Sequence, residues 1–374
     1  MKKEISYERY QRQMILPGFG EEAQQRLSDA RVLVIGAGGL GCPALQYLTA
    51  AGVGTIGMAD GDMVSLSNLH RQVLFHTSDI GKNKAEVAAA HLQQLNPEIS
   101  IMSIPENVNN QNLLQLLTGF DIVIDGTDNF ATRYMINDAC VLMNKILVYG
   151  AVSRFEGQVS VFNYPLKQEE RSSNYRDLFP EPPKEDEVLN CADAGVIGVL
   201  PGIIGTMQAS ETIKLITGQG NPLVNQLLTF NAMTNQFFTM KVAAKKETVS
   251  LIPDTAAAFQ ATDYAWLCGA SFQVSEIDAH TFDGLIGQHH IDVVDVREPD
   301  EIPLVSEFQH LRIPLTQIAT ASEQLKSDTV VVFCQSGKRS RQAAKLLSEQ
   351  FGTTKSIHSL QGGILAWKTF CQTK

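Results

Sequence analysis

The run Gly36-Ala37-Gly38-Gly39-Leu40-Gly41 constrains the fold of this chain more than any other feature. Before it stands RVLVIG, residues 31–36, an apolar, β-branched segment of strand type. After it, Leu40, Leu45 and Leu48 mark one face of a helix. So short a turn between strand and helix needs glycines for close backbone approach. It also aims the helix N-terminus, with free N–H groups and the positive dipole end, at whatever lies above the strand. Asp60 ends the next strand, residues 54–60, 24 positions after Gly36, where an acid can bind ribose hydroxyls. The pattern predicts a nucleotide-binding α/β unit. Alone it leaves open a dinucleotide, a triphosphate, or a tight turn with no ligand.

Three further segments favour a triphosphate. Ser67-Asn68-Leu69-His70-Arg71-Gln72 follows the acidic strand end, Lys84 opens the next helix, and Thr127-Asp128-Asn129 stands just beyond the strand DIVID at 121–125. Two cations (Arg71, Lys84), an amide (Asn68) and an acid (Asp128) around one glycine-rich loop suit a triphosphate with Mg²⁺ better than a nicotinamide. Cations neutralise the charge that builds up during transfer at phosphorus. Taken singly, Arg71 and Lys84 read as solvated charges and Asp128 as a helix N-cap; their joint placement argues otherwise.

The rest of the first half alternates in the same way. Helices are expected at 82–95, 109–118 and 195–217, and strands at 99–104, 146–151 and 157–163. This is a largely parallel sheet covered on both faces. Residues 165–190 are charged and Pro-containing and read as a mobile loop. Periodicity fades over residues 244–271, which read as a linker. A second β/α series then runs over 272–374, with strands at 291–296 and 329–334 and helices at 339–350 and 363–370. The length of 374 residues suits two domains, 1–243 and 272–374.

The segments RYQRQ, GAGGLGCPALQYLTAAGVG, DGDMVSLSNLHRQ, GKNKAEVAAAHLQQLNP, DGTDNFATRYMIND and CADAGVIGVLPGIIGTMQASETIKLITG resemble the MoeB/ThiF family, prokaryotic relatives of ubiquitin-activating enzymes. The resemblance covers nearly all of residues 6–242 and implies a Rossmann-like adenylation domain. It places Gly38 and Gly39 on the phosphates of ATP and Asp60 on the ribose. Asn68, Arg71 and Lys84 then contact phosphates, with Ser67, Leu69, His70 and Asn129 beside them, and Asp128 holds Mg²⁺. It implies a homodimer in which Arg12 reaches the partner's active site. The implied substrate is a ubiquitin-like sulfur carrier ending in Gly-Gly, whose carboxylate attacks the α-phosphate of ATP. Cys191, in NCADAG, matches the family's adenylation-domain cysteine, which forms a thioester or resolves an acyl disulfide. A nucleophilic role there needs a depressed pKa.

Cys334 follows the strand TVVVF and precedes Gln335-Ser336-Gly337-Lys338-Arg339-Ser340 and a helix. A thiol held by a loop against a helix N-terminus meets converging N–H groups, which favour a thiolate or persulfide anion; Arg339 and Lys338 add charge. CQSGKRS, with DVREPDE at 295–301 and LQGGILAW at 360–367, resembles a rhodanese domain with one active cysteine. The rival is a phosphatase loop, CX5R, but Cys334 and Arg339 are five apart, one position short. The segment IPLVSEFQHLRIP departs from the rhodanese pattern, which implies a differently shaped substrate-side loop.

The family usually carries two CxxC pairs that bind a structural zinc. Here Asn174 and Asp177 stand at the first pair, and residues 242–267 contain no cysteine, so zinc is not expected. The net charge of −10 argues against nucleic acid, and no apolar run is long enough to span a membrane. Six thinly spread cysteines suit a reducing, cytoplasmic compartment, and the N-terminus does not read as a signal peptide. The expected activity is adenylation of the carrier's terminal glycine, then sulfur delivery from a Cys334 persulfide to make a thiocarboxylate. Molybdenum-cofactor or thiamine biosynthesis is the expected setting, with an upstream donor such as a cysteine desulfurase. The other readings are adenylation for conjugation with an idle rhodanese domain, and a module that holds nucleotide without turnover.

Overall fold

The structure, a computed structural model, describes residues 6–182, 195–264, 275–286, 290–318, 320, 324–351 and 354–372. The chain divides into two compact units, Met1–Gly269 and Ala270–Lys374. Among the described residues no helix is long and apolar enough to cross a membrane.

In the first unit, β1 (Arg31–Ile35), β2 (Thr55–Ala59), β3 (Ser100–Ile104), β4 (Ile122–Asp125), β5 (Ile146–Ser153), β6 (Glu156–Phe162), β7 (Gln226–Asn231) and β8 (Gln236–Lys241) form one sheet in the order β3-β2-β1-β4-β5-β6-β7-β8. The first five strands are parallel and the remainder pair antiparallel. Val32, Leu33 and Val34 of β1 are fully buried, as a central parallel strand covered on both faces must be. One face packs on Leu45, Leu48, Ala88 and Leu92, the other on Leu117, Phe120, Tyr134 and Ile136. Strand order reverses between β1 and β4, so a crevice opens beyond Ile35 and Asp125. The antiparallel β7 and β8, and the helices Tyr7–Met14 and Gly20–Asp29, add to the expected elements.

Two expectations need correction. The 165–190 segment is not simply a loop: 165–182 are described, and Ser172 to Asp177 are buried there. Its charge is paired rather than solvated. Arg176 donates to Asp138 from Nε at 2.8 Å and from Nη2 at 2.7 Å, and the Tyr264 hydroxyl donates to the same carboxylate at 3.0 Å. Residues 183–190 lie outside the described residues. Of the expected linker 244–271, residues 265–271 lie outside the described residues, and 244–264 are not a free linker either. A 3₁₀ turn at Glu247–Leu251 and a helix at Ala256–Ala261 fold back on the first unit, with Phe259 and Tyr264 in its core.

These two stretches meet where zinc ligands were considered. The Asp177 carboxylate accepts from the Asn174 backbone N–H at 2.8 Å, from Asn174 Nδ2 at 2.9 Å, from the Lys245 N–H at 3.0 Å, and from the Thr248 hydroxyl. Each buried donor deprived of its acceptor there costs about 1–3 kcal/mol, so this carboxylate is a cross-link between the two chain segments.

The second unit is a five-stranded parallel sheet: β9 (Ser275–Ile277), β10 (Ile291–Asp295), β11 (Leu311–Arg312), β12 (Thr329–Phe333) and β13 (Ser356–Leu360), in the order β11-β10-β12-β13-β9. Val330, Val331, Val332 and Phe333 are fully buried. Ala343, Ala344 and Leu347 cover one face and Phe282, Ile364 and Trp367 the other. The helices at Lys338–Phe351 and Gly363–Gln372 match the expected positions to within two residues. In the departing segment, Val305 and Phe308 pack into this core, which fixes its course.

Candidate functional site

A cleft of about 680 Å³ opens at the strand reversal of the first unit. Gly38, Gly39, Asp60, His70, Arg71, Lys84, Asp128 and Asn129 all line it, so residues up to 91 positions apart converge there. The glycines have distinct reasons. Gly36 sits at φ +92°, and a Cβ on it would come within 2.8 Å of the Gly126 carbonyl oxygen. A Cβ on Gly39 would meet Pro201 at 2.9 Å. Gly38 is different: a Cβ there finds its nearest protein atom at 3.8 Å. Protein packing does not demand glycine at 38, and the bare backbone there is open to the close approach that a phosphate would need.

Asp60 anchors the turn. Its carboxylate accepts from the Ala37 N–H at 2.8 Å and the Asp62 N–H at 2.9 Å. Burial pushes its pKa above the ordinary carboxylate value, against the pull of Lys84 and the two amides. Lys84 is buried at the start of the helix Lys84–Leu95, whose N-cap, Asn83, accepts from the Glu86 N–H at 3.1 Å. The Lys84 ammonium is paired with Asp62 at 2.8 Å. Arg71 donates to the Ser67 carbonyl at 3.1 Å.

Asn129, rather than Asp128, is the N-cap of the helix Phe130–Leu142, accepting from the Thr132 N–H at 2.8 Å. Asp128 is therefore exposed in the cleft with no hydrogen bond or ion pair among the described residues. An acid with no partner among the described residues, in one cleft with two cations and a bare glycine turn, suits a metal-bound triphosphate. The buried Gln72 Oε1, lacking a partner at the cleft wall, adds an unused acceptor.

Ser67, Asn68 and Leu69 do not line the cleft. They build the turn that presents His70 and Arg71: the Asn68 carbonyl accepts from the N–H groups of Arg71 at 3.0 Å and Gln72 at 2.9 Å, and Leu69 packs on the core. Arg12 lies exposed on the helix Tyr7–Met14, outside the cleft. Cys191 is outside the described residues. The sequence reading missed Asp62, Gln72 and Arg133. Arg133 is buried beside the cleft, donates to Asp125 at 3.2 Å and to the Thr127 carbonyl at 3.2 Å, and so braces the loop that carries Asp128. Burial works against its charge, but Tyr149, Asp125 and Tyr175 outweigh that and raise its pKa.

In the second unit, Cys334 ends β12 and is 1% exposed. The Gly337 N–H donates to its sulfur at 3.2 Å. Gly337 has φ +92°, a conformation that disfavours any side chain. Burial raises the thiol pKa, but the Ser340 amide and hydroxyl and the amides of Ser336 and Gly337 more than offset it, so the thiol lies below its ordinary value. Arg339 does not simply face the thiol: its guanidinium forms a two-pronged ion pair with Glu301, Nη2 to Oε2 at 2.6 Å, which depresses Glu301 to about 2. By contrast Cys42 is fully buried and pushed up to about 12, which suits packing rather than reaction.

The sign of the Cys334 shift gives a test. Thiolate chemistry is present above the folded pKa and lost as pH falls through it, so the half-maximum of sulfurtransferase activity should lie below the ordinary thiol value. Ser340→Ala removes a stabilising hydroxyl and is expected to move that midpoint upward. Rate against pH for thiosulfate sulfurtransfer checks this; an unmoved midpoint removes Ser340 from the role.

The ThiF family matches residues 10–251 and the rhodanese-like domain matches residues 278–370. A sulfur carrier protein adenylyltransferase of Thermus thermophilus is 46% identical, over 70% of this chain and 96% of that protein. The adenylyltransferase and sulfurtransferase MOCS3 of Xenopus laevis is 36% identical over 96% of this chain and 85% of its own. Among solved structures, PaaA shares the fold, with a TM-score of 0.55 and 22% identity over 66% of this chain and 76% of its own. The nucleotide cleft, the thiol loop and these matches together place the chain in the ThiF family, as an enzyme of the adenylyltransferase and sulfurtransferase kind that ends in a rhodanese-like domain.

Proposed function

We propose that the first unit adenylates the C-terminal glycine of a ubiquitin-like sulfur carrier and that the second supplies sulfur as a Cys334 persulfide. The observation that carries the proposal is the pairing, in one chain, of a cleft with Lys84, Arg71 and an Asp128 that has no partner among the described residues, and a thiol loop whose amides depress the Cys334 pKa. Lys84 and Arg71 neutralise the phosphates of ATP as the carrier's carboxylate attacks the α-phosphorus and pyrophosphate leaves. Asp128 would hold Mg²⁺, which supplies further charge neutralisation. The persulfide's terminal sulfur then attacks the acyl carbon and AMP leaves, giving an acyl disulfide on Cys334. Attack by the Cys191 thiolate on the Cys334 sulfur releases the thiocarboxylate and leaves a Cys191–Cys334 disulfide for an external thiol to reduce. Fusion of the two units raises the local concentration of the sulfur donor.

The same reading includes a homodimer with Arg12 completing the partner's cleft, a cysteine desulfurase as donor, and a cytoplasmic setting. It includes no structural zinc, because Asp177 cross-links the stretches that zinc would hold. The test is ATP–pyrophosphate exchange with a purified Gly-Gly carrier, followed by carrier mass after adding a persulfide donor. Exchange that requires the carrier's last glycine, and a mass gain of about 16 Da as sulfur replaces oxygen, are expected. Exchange independent of the carrier overturns the proposal.

A further inference from the structure

Outside both sites, three side chains of the first unit point their ligand atoms at one another. His76, Asp79 and His91 each offer one atom, and these atoms all lie within 4.8 Å of one another. His76 Nδ1 is 3.4 Å and His91 Nε2 is 3.6 Å from the same oxygen, Asp79 Oδ2. Both separations exceed the usual 2.7–3.2 Å range of an N–H···O hydrogen bond. They are close to the edge of about 3.3 Å that a tetrahedron with Zn–N and Zn–O bonds near 2.0–2.1 Å would have.

The surroundings pre-orient two of the three groups. Asp79 is 4% exposed, and its Oδ2 also accepts from the His76 N–H at 2.9 Å, which holds the carboxylate inward. His91 projects from the helix Lys84–Leu95, and its Nδ1 is 2.9 Å from the Leu74 carbonyl. That bond requires the proton on Nδ1, so in the neutral ring the lone pair is on Nε2, which faces Asp79, the arrangement in which a carbonyl fixes a metal-ligating imidazole. His76 is exposed, so its ring can close the remaining edge. The competitor is Lys82, whose ammonium lies 3.3 Å from Asp79 Oδ1; it is solvated and sits on the other oxygen.

We propose that His76, Asp79 and His91 form an exchangeable site for a divalent transition-metal ion of borderline softness, such as Zn²⁺ or Co²⁺, with one coordination position open to solvent. Two imidazoles select such ions over Mg²⁺, which prefers oxygen ligands. The site is distinct from the ATP cleft. It would tie the segment between Arg71 and Lys84, two cations of that cleft, to the helix that Lys84 opens.

The test uses the full chain dialysed against a chelator and titrated with Zn²⁺ by calorimetry and with Co²⁺ by visible absorption. One equivalent is expected, with the d–d bands of a four- or five-coordinate ion and no thiolate-to-metal charge-transfer band. His91→Ala and His76→Ala should each raise the Kd at least about ten-fold. Each variant, measured against its own metal-free melting temperature, should lose the rise that Zn²⁺ gives the parent. A parent that binds no Zn²⁺, variants with unchanged affinity, or a thiolate charge-transfer band would each overturn the proposal, the last by assigning the ion to cysteine.

Discussion

Replacing Cys334 by alanine is expected to abolish thiocarboxylate formation and thiosulfate sulfurtransfer while carrier-dependent pyrophosphate exchange continues at the parent rate. On the proposed route sulfur is carried as a Cys334 persulfide, and alanine has no atom on which to build one. The loss should reach at least about a thousand-fold, because no other described thiol has an equivalent setting. Cys42 and Cys140 are fully buried and their pKa values are raised, and Cys371 lies exposed in the helix Gly363–Gln372 rather than in a strand-to-helix loop. Folding of the second unit should survive, since the Cys334 side chain is small and the Val330–Phe333 core beneath it is unchanged. Carrier mass spectrometry reads the outcome directly. Thiocarboxylate from the Cys334→Ala chain with the same donor would mean that sulfur reaches the carrier by another route. The rhodanese-like domain would then be idle, as in a conjugation-type enzyme.

What the sequence revealed follows from the range over which each signal acts. The turn at Gly36–Gly41 and the thiol loop after Phe333 are local: each is written in a few consecutive residues, and the fold places both at strand ends as expected. Asp60, Arg71, Lys84 and Asp128 were legible as a group because each follows a strand end or opens a helix, and a doubly wound sheet gathers such positions.

Burial of the Ser172–Asp177 stretch was not legible in that way. Its polar composition suggested solvent exposure, yet Arg176 finds its carboxylate 38 positions away at Asp138 and Asp177 finds Thr248 71 positions away. Such pairings leave no periodic trace in either segment. The same holds for Phe259 and Tyr264, which join the first core from a stretch with no helical or strand repeat long enough to notice. Arg133 was missed for a related reason. It sits inside a helix, where its spacing from Asp125 reads as coincidence until the structure shows it bracing the Thr127 carbonyl.

Asp128→Asn is expected to reduce carrier-dependent pyrophosphate exchange by a hundred-fold or more, on the order of 3 kcal/mol in the barrier. The substitution preserves the shape of the side chain and removes its charge. Nothing else in the described residues pairs with Asp128, and Asn129 rather than Asp128 caps the following helix. Stability should therefore change by no more than about 0.5 kcal/mol, as for an exposed position. The effect should also depend on metal: if the carboxylate holds Mg²⁺, raising Mg²⁺ should recover part of the exchange in the variant, because weakened coordination is offset by mass action. Thiosulfate sulfurtransfer at Cys334 needs no nucleotide and should keep its parent rate. The Cys334 and Asp128 variants thus form a reciprocal pair, each losing one partial activity and keeping the other. Exchange at the parent level in Asp128→Asn would remove the metal role from this residue, and parallel loss of sulfurtransfer would show that the change had damaged the fold rather than the chemistry.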